Sequence, residues 1–372
     1  MNAVLAAPNA SFLRATSAVP AVRPQRLVLL GTGTVGRAFV ARYQRLVQQE
    51  LELPRFAWLA NSRGLRECAD SAEAALRSAD LLPRDCIAAT TDTALANLRC
   101  GDIVVDASAS DAVASQHATW LARGLHVITA NKLGNGASLE RAQEIAAARV
   151  ESGAFYGDSA TVGAGLPLLR SLRALAAGGD RIHGIAGVLS GSLAWLFHQY
   201  DGLRPFSGFV RAAREAGYTE PDPRIDLSGE DVRRKLLILA RAAGVPLEAD
   251  AVAVESLVPS ELATAGYGDL DAALPLLDAP LKRRFQLAYR KAAKLRFVGR
   301  FEISANNACH ASVGPQALPS DHPLCGGRGT DNRVAITSCR YREQPLLIQG
   351  PGAGAEVTAA ALLDDVLRIA NL

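Results

Sequence analysis

The first patterned stretch begins at Arg26. Leu27–Leu30 is an apolar run of strand length, and it breaks at Gly31-Thr32-Gly33-Thr34-Val35-Gly36. Val35, Phe39 and Tyr43 then recur at helical spacing. Strand, glycine-rich turn and amphipathic helix, in that order, are the context of a dinucleotide-binding turn. The glycines permit a tight turn, close approach of a pyrophosphate, and packing of helix on strand. Free N–H groups at the helix start then face the phosphates. A second strand is predicted over 56–64, ending in Asn61, Ser62 and Arg63. No Asp or Glu stands there to hold the ribose 2′-hydroxyl of NAD. Arg63 either faces the 2′-phosphate of NADP or is a solvated loop residue.

Two more apolar runs, DIVVDASAS (102–110) and HVITANK (126–132), read as strands, with a helix predicted over Ala112–Arg123. Ligands of doubly wound sheets lie outside the carboxyl ends of the strands. Ser108, Asn131 and Lys132 fall there. From residue 158 the pattern changes. In DSATVGAGLPLLRSL, Gly163 and Gly165 bracket a turn and Pro167 suits the first turn of a helix. Carbonyls around such glycines can point inward at a hard cation, although on residue type alone a plain tight loop is the simpler account. Residues 183–200 read as strand, Ser/Gly turn and helix, and strand-like runs return at 295–303, 333–341 and 345–354. Strands clustered away from the βαβ region predict a second, α+β domain. The closing GAGAEV turn opens a last helix, which is expected to return to the nucleotide domain.

The predicted architecture is therefore α/β. A Rossmann-type doubly wound parallel sheet occupies 27–160, a second α+β domain 161–340, and a returning C-terminal segment 341–372. Residues 1–26 contain no Asp or Glu and include Arg14, Arg23 and Arg26. Organellar transit peptides share that composition. We read the segment as a disordered extension outside the fold.

Composition removes several classes of function. A net charge of +3 without any Lys/Arg block gives no footprint for nucleic acid or anionic membrane. No apolar run reaches membrane-spanning length. The six cysteines lie far apart, with no CxxC pair. Reduced thiols in a cytoplasmic protein are expected, and no transition metal.

The densest chemistry is YTEPDPRIDLSGEDVRRK, residues 218–235. Ser228-Gly229-Glu230-Asp231 has the form of a capping box, which predicts a helix from Ser228 to Gly244 with Val232, Leu236 and Leu239 on its buried face. Asp231 and Lys235, four apart, share a face. Pro221 and Pro223 stiffen the loop carrying Glu220 and Asp226. One reading is a cage of Glu220, Asp226 and Asp231 for an ammonium group, with Lys235 at its edge for proton transfer. The other is a helix cap with an ordinary ion pair. These residues alone leave both open.

In order along the chain, GTGTVG, DASAS, TANK, TVGAGLP, GVLSGSLAWLF, GYTEPDPRIDLSGEDVRRK and GPGAGAEVT resemble the homoserine dehydrogenases over about residues 27–372. The resemblance implies NAD(P)-dependent interconversion of L-homoserine and L-aspartate 4-semialdehyde. It implies Lys235 as the proton donor and acceptor and Lys132 as a second active-site lysine. Substrate would be bound by Glu220 and Asp231, with Asp226 nearby. Besides Gly31–Gly36, it implies nucleotide contacts at Gly217 and Gly352. It implies a sodium ion on the backbone carbonyls of Val162, Ala164 and Leu166, although the family's usual Glu at that ion is Ser159 here. Leu133 stands where NKK sequences carry another lysine. A homodimer is implied, with the late strands 295–341 of the substrate-binding and dimerisation domain forming its sheet. Only about twenty residues follow the GPGAG turn, so a stand-alone enzyme without an ACT or aspartokinase module is expected.

Overall fold

In the computed structural model, residues 25–69, 71–80 and 95–370 are described. Residues 1–24 of the expected extension lie outside them.

The first sheet contains β1 (Arg26–Leu30), β2 (Arg55–Asn61), β3 (Gly64–Glu67), β4 (Ile103–Asp106), β5 (His126–Thr129) and β6 (Tyr156–Gly157). Their order across the sheet is β3-β2-β1-β4-β5-β6. All neighbours are parallel except β3, which runs antiparallel to β2. The chain works outward from β1 to one edge and then crosses to β4. A crevice therefore opens above the carboxyl ends of β1 and β4, where nucleotide-binding sheets hold their ligand.

The strand expected over 56–64 ends at Asn61. Asn61 Oδ1 accepts the N–H of Arg63 at 2.8 Å, an Asx turn, and Gly64 adopts φ +146°. The chain doubles back there as β3. The strand expected over 102–110 is likewise curled short. Ser108 donates both its N–H and its hydroxyl to Asp106 Oδ1, at 2.8 and 2.6 Å. The helix expected over Ala112–Arg123 is two short helices, Asp111–Ala114 and His117–Ala122.

The second sheet contains β7 (Ile182–Val188), β8 (Val252–Val254), β9 (Ala293–Ile303), β10 (Cys309–Pro319), β11 (Asp331–Ser338) and β12 (Leu346–Pro351). Their order is β12-β11-β7-β9-β10-β8. β12 pairs with β11, so the chain leaves this sheet only after Pro351. The last helix, Ala355–Ala370, then buries Leu362, Leu363 and Val366 in one apolar cluster with Phe39 of the helix Thr34–Gln48. The chain passes from the second sheet to that cluster through Gly352–Gly354.

The helix carrying Lys235 spans Glu230–Ala242 and buries nearly its whole circumference from Val232 to Ala240. It lies on β9, where Gly299 admits Val232: a Cβ at Gly299 would meet Val232 Cγ1 at 2.9 Å. Its start corrects the expected capping box. The N-cap is Gly229, at φ +80°, with no side-chain cap. Ser228 instead ends a separate turn of helix, Arg224–Leu227, and donates its hydroxyl to Ile225 O. A left-handed residue is needed to swing the chain from one helix into the next, and glycine adopts that conformation without strain.

Candidate active site

The nucleotide turn is built as its three glycines require. Gly31 sits at φ +98° against the backbone of Ala107 and Ser108, where a Cβ would come within 2.9 Å. A Cβ on Gly36 would lie 2.0 Å from Gly31 O, so helix and turn touch only because none is present. Around Gly33 nothing lies within 4 Å of the Cβ position, which leaves open space in front of the helix that starts at Thr34. Thr32 Oγ1 accepts from Asn61 Nδ2 at 2.8 Å, tying the turn to the end of β2. Arg63 follows in the next turn, half-buried beside that corner.

A closed polar network supports the ends of β4 and β5. Asp106 and His117 are fully buried. His117 Nε2 donates to Asp106 Oδ2 at 3.0 Å, and its Nδ1 meets the Tyr156 hydroxyl at 3.1 Å. Asn131 donates to Asp106 Oδ2 and to Ser110 O, and accepts the N–H of Leu133. Lys132 therefore leaves a turn held on both sides. The hydroxyl of Ser108 belongs to this network. What Ser108 offers the crevice is its backbone, packed against Gly31.

Lys132 and Lys235 meet at Asp231. Lys235 Nζ lies 2.8 Å from Asp231 Oδ2, and Lys132 Nζ lies 3.5 Å from Asp231 Oδ1. Burial works against ionisation of Asp231, but the ammonium groups of Lys235 and Lys132 outweigh it and hold its carboxyl below the usual range. Lys235 is only 8 % exposed. Its second acceptor is the carbonyl oxygen of Leu189, at 2.8 Å. An ammonium carries three N–H donors, and these two acceptors leave one for a ligand.

Asp226 and Glu220 belong to the adjoining loop. Asp226 accepts the Ser192 hydroxyl at 2.7 Å and the backbone N–H of Glu220 at 2.9 Å. Both of its oxygens thus shape the loop, while the Glu220 side chain is exposed. Gly217 lies at the far end of that loop at φ +71°, closing the helix Phe206–Glu215. Gly352 abuts Asn332: a Cβ there would sit 1.1 Å from Asn332 Oδ1.

Val162, Ala164 and Leu166 form a tight turn with consecutive left-handed residues, Gly163 at φ +72° and Ala164 at +50°. The carbonyl of Leu166 already accepts the N–H of Leu168. Ser159 donates its hydroxyl and N–H to the buried carboxylate of Asp365 on the last helix. The carboxylate at Ser159 thus comes from Asp365.

The amino-acid sequence carries no signal for the Leu189 carbonyl, because a backbone acceptor has no residue signature. Nor did it single out Asp106, His117 or Asn332. A separate cleft of about 490 Å³ is lined by Leu133, Gly136, Arg233, Arg234 and Glu248. It opens on another face of the lysine helix.

Residues 167–367 match the homoserine dehydrogenase family model, and residues 31–156 match the homoserine dehydrogenase NAD-binding domain. The chain is 43% identical over 270 residues to a chloroplastic bifunctional aspartokinase/homoserine dehydrogenase of Zea mays. That match covers 72% of this chain and 29% of the maize protein, so the chain spans under a third of the bifunctional relative's length. It is 37% identical to the homoserine dehydrogenase of Emericella nidulans, over 74% of this chain and 77% of that one. A solved Candida auris protein of unknown function superposes with a TM-score of 0.82 at 33% identity, covering 94% of this chain and 98% of that one. With both halves matched in order, the chain belongs to the homoserine dehydrogenase family.

Proposed function

We propose that this chain catalyses reversible hydride transfer between NAD(P) and L-homoserine, giving L-aspartate 4-semialdehyde. The observation that carries the reading is the buried Lys235 ammonium, held by Asp231 and the Leu189 carbonyl with one donor unspent.

Bound in the crevice above β1 and β4, NAD(P) would supply or accept the hydride at its nicotinamide C4. In the reducing direction the aldehyde oxygen gains negative charge. Lys235 stabilises that charge and delivers a proton, with Lys132 as a second nearby cation. In the oxidising direction the step runs in reverse: the neutral Lys235 amine takes the hydroxyl proton and becomes the ammonium as hydride leaves C4. Glu220 and Asp231 bind the α-ammonium of the amino acid, and Asp226 holds Glu220 in place through its backbone. This orients C4 of the substrate. Gly31, Thr32, Gly33, Thr34, Val35 and Gly36 bind the pyrophosphate, with Ser108, Gly217 and Gly352 as further contacts. Arg63, beside the end of β2, favours NADP through its 2′-phosphate. Val162, Ala164 and Leu166 offer carbonyls to a sodium ion. The reading includes a homodimer paired through strands 295–341 and a cytoplasmic setting. Among the described residues no helix is long and apolar enough to cross a membrane.

The test is an assay of the purified protein against L-homoserine, L-aspartate 4-semialdehyde and L-glutamate 5-semialdehyde with each nicotinamide cofactor. Turnover of the first two, well above the third, is expected. Preference for glutamate semialdehyde, or cofactor binding with no turnover of any, would overturn the reading.

A further inference from the structure

The main-chain ladder between β7 and β11 ends at the pair Val188–Arg333. Beyond it the chain must leave the sheet, pass Leu189, and enter the helix Gly191–Gln199, which Ser190 caps by accepting the N–H of Leu193 at 3.3 Å. At the end of the ladder Val188 O is bound by a side chain: Asn332 Nδ2 donates to it at 3.0 Å. The next carbonyl along, that of Leu189, is the acceptor of Lys235. Leu189 thus sits between two fixed points, the Asn332 amide behind it and the Ser190 cap ahead.

Asn332 is committed to this contact. It is 1 % exposed, and its Oδ1 is buried without a partner. An unpaired buried acceptor is costly, and an apolar residue would avoid the cost, as Val334 does two positions on along the same strand. Gly352 supplies the room, since any side chain there would overlap Asn332 Oδ1. The backbone of Thr330 also lies 3.2 Å from the Cβ position of Gly191, so the segment 330–332 lies along the whole turn.

We propose that Asn332 is a positioning residue for the reaction. By holding Val188 O it fixes the Leu189 carbonyl that aims the Lys235 ammonium at the substrate oxygen. This rests on the proposed role of Lys235 and extends it to a residue on another strand of the sheet.

A double-mutant cycle separates action through Lys235 from a general loosening of the fold. Asn332→Ala and the similarly sized, apolar Asn332→Leu are each made in the wild type and in Lys235→Ala, and kcat, KM and cofactor Kd are measured with L-aspartate 4-semialdehyde. Both replacements remove the donor to Val188 O, and Asn332→Leu keeps the volume should the alanine variant fail to fold. In the wild type, kcat is expected to fall about tenfold, with cofactor Kd unchanged. In Lys235→Ala the same replacements are expected to change kcat less than about twofold. Equal losses in both backgrounds, or a loss confined to cofactor Kd, would overturn the proposal. If wild type fails to turn over the substrate, or Lys235→Ala keeps full activity, the Lys235 reading fails instead.

Discussion

Two charged groups adjoin at the Asn131–Lys132 turn, one bound by Asn131 and the other by Lys132, and they are built on opposite plans. Behind β4 and β5, Asp106 is closed in: Ser108 N–H and hydroxyl, Asn131 Nδ2 and His117 Nε2 all donate to it. Around the lysine helix, Asp231 bridges Lys235 and Lys132 while its side chain stays 38 % exposed, and Lys235 keeps a spare donor. The first arrangement has no capacity left for a ligand and fixes the turn from which Lys132 projects. The second keeps a donor unspent on Lys235 and a carboxylate open to solvent on Asp231. Asp226 lies between the two plans. Its oxygens are used on Ser192 and on the backbone of Glu220, so it works on the loop more than on a ligand.

The contrast predicts how each group fails. The largest effect belongs to the open cluster: Lys235→Ala should lower kcat by about 10²–10⁴-fold with cofactor affinity nearly intact. Steady-state kinetics with a fluorescence titration of NADPH check both halves. In the closed group, His117→Leu strands the Tyr156 hydroxyl and removes one donor from Asp106. A loss of about 2–4 kcal/mol in urea unfolding is expected, while the folded fraction retains turnover. If turnover instead collapses at unchanged stability, the two plans are not distinct.

A third test uses pH. Asp158 is fully buried. Burial opposes its ionisation, but the Arg173 guanidinium, at 2.6 Å, outweighs it and holds the carboxyl below its ordinary 3.8. A depressed carboxyl contributes stability that is complete above the unfolded value and is lost as pH falls toward the folded one. Arg173→Ala should therefore cost about 1–2 kcal/mol at pH 6–7, modest because the guanidinium is a third exposed. The gap to wild type should narrow below about pH 4, as unfolding curves across that range would show. The smallest effect is expected at Arg63. Arg63→Ala should raise KM for NADPH by about tenfold or less and leave KM for NADH nearly unchanged. Equal changes for both cofactors would remove Arg63 from the 2′-phosphate.

Much of this was legible in the sequence wherever a residue type carries its own geometry. The glycines of the nucleotide turn, the four-residue spacing of Asp231 and Lys235, and the apolar runs of β1, β4 and β5 all announce their roles. β10 did not, because Gly314 and Pro315 interrupt its pattern. It pairs with β8 only over Ala311–Val313, so Pro315 sits where the strand is an edge and its missing N–H is tolerated. The capping box misled because Gly229 answers a tertiary demand, the swing between two helices, that local spacing does not encode. The acceptors that aim Lys235 were illegible for a related reason. The Asn332 amide reaches Val188 O, one residue before the Leu189 carbonyl, only after β7 and β11 have paired.

The central claim is that Lys235 faces the reacting oxygen across from the nicotinamide. A crystal structure of the ternary complex with NADP⁺ and L-homoserine tests it most directly. Lys235 Nζ is predicted to lie about 2.6–3.2 Å from the substrate's C4 hydroxyl, still bound to Asp231 and Leu189 O, with the α-ammonium on the carboxylate side. A complex in which homoserine is seated at the nicotinamide with its hydroxyl out of reach of Lys235 would contradict the account.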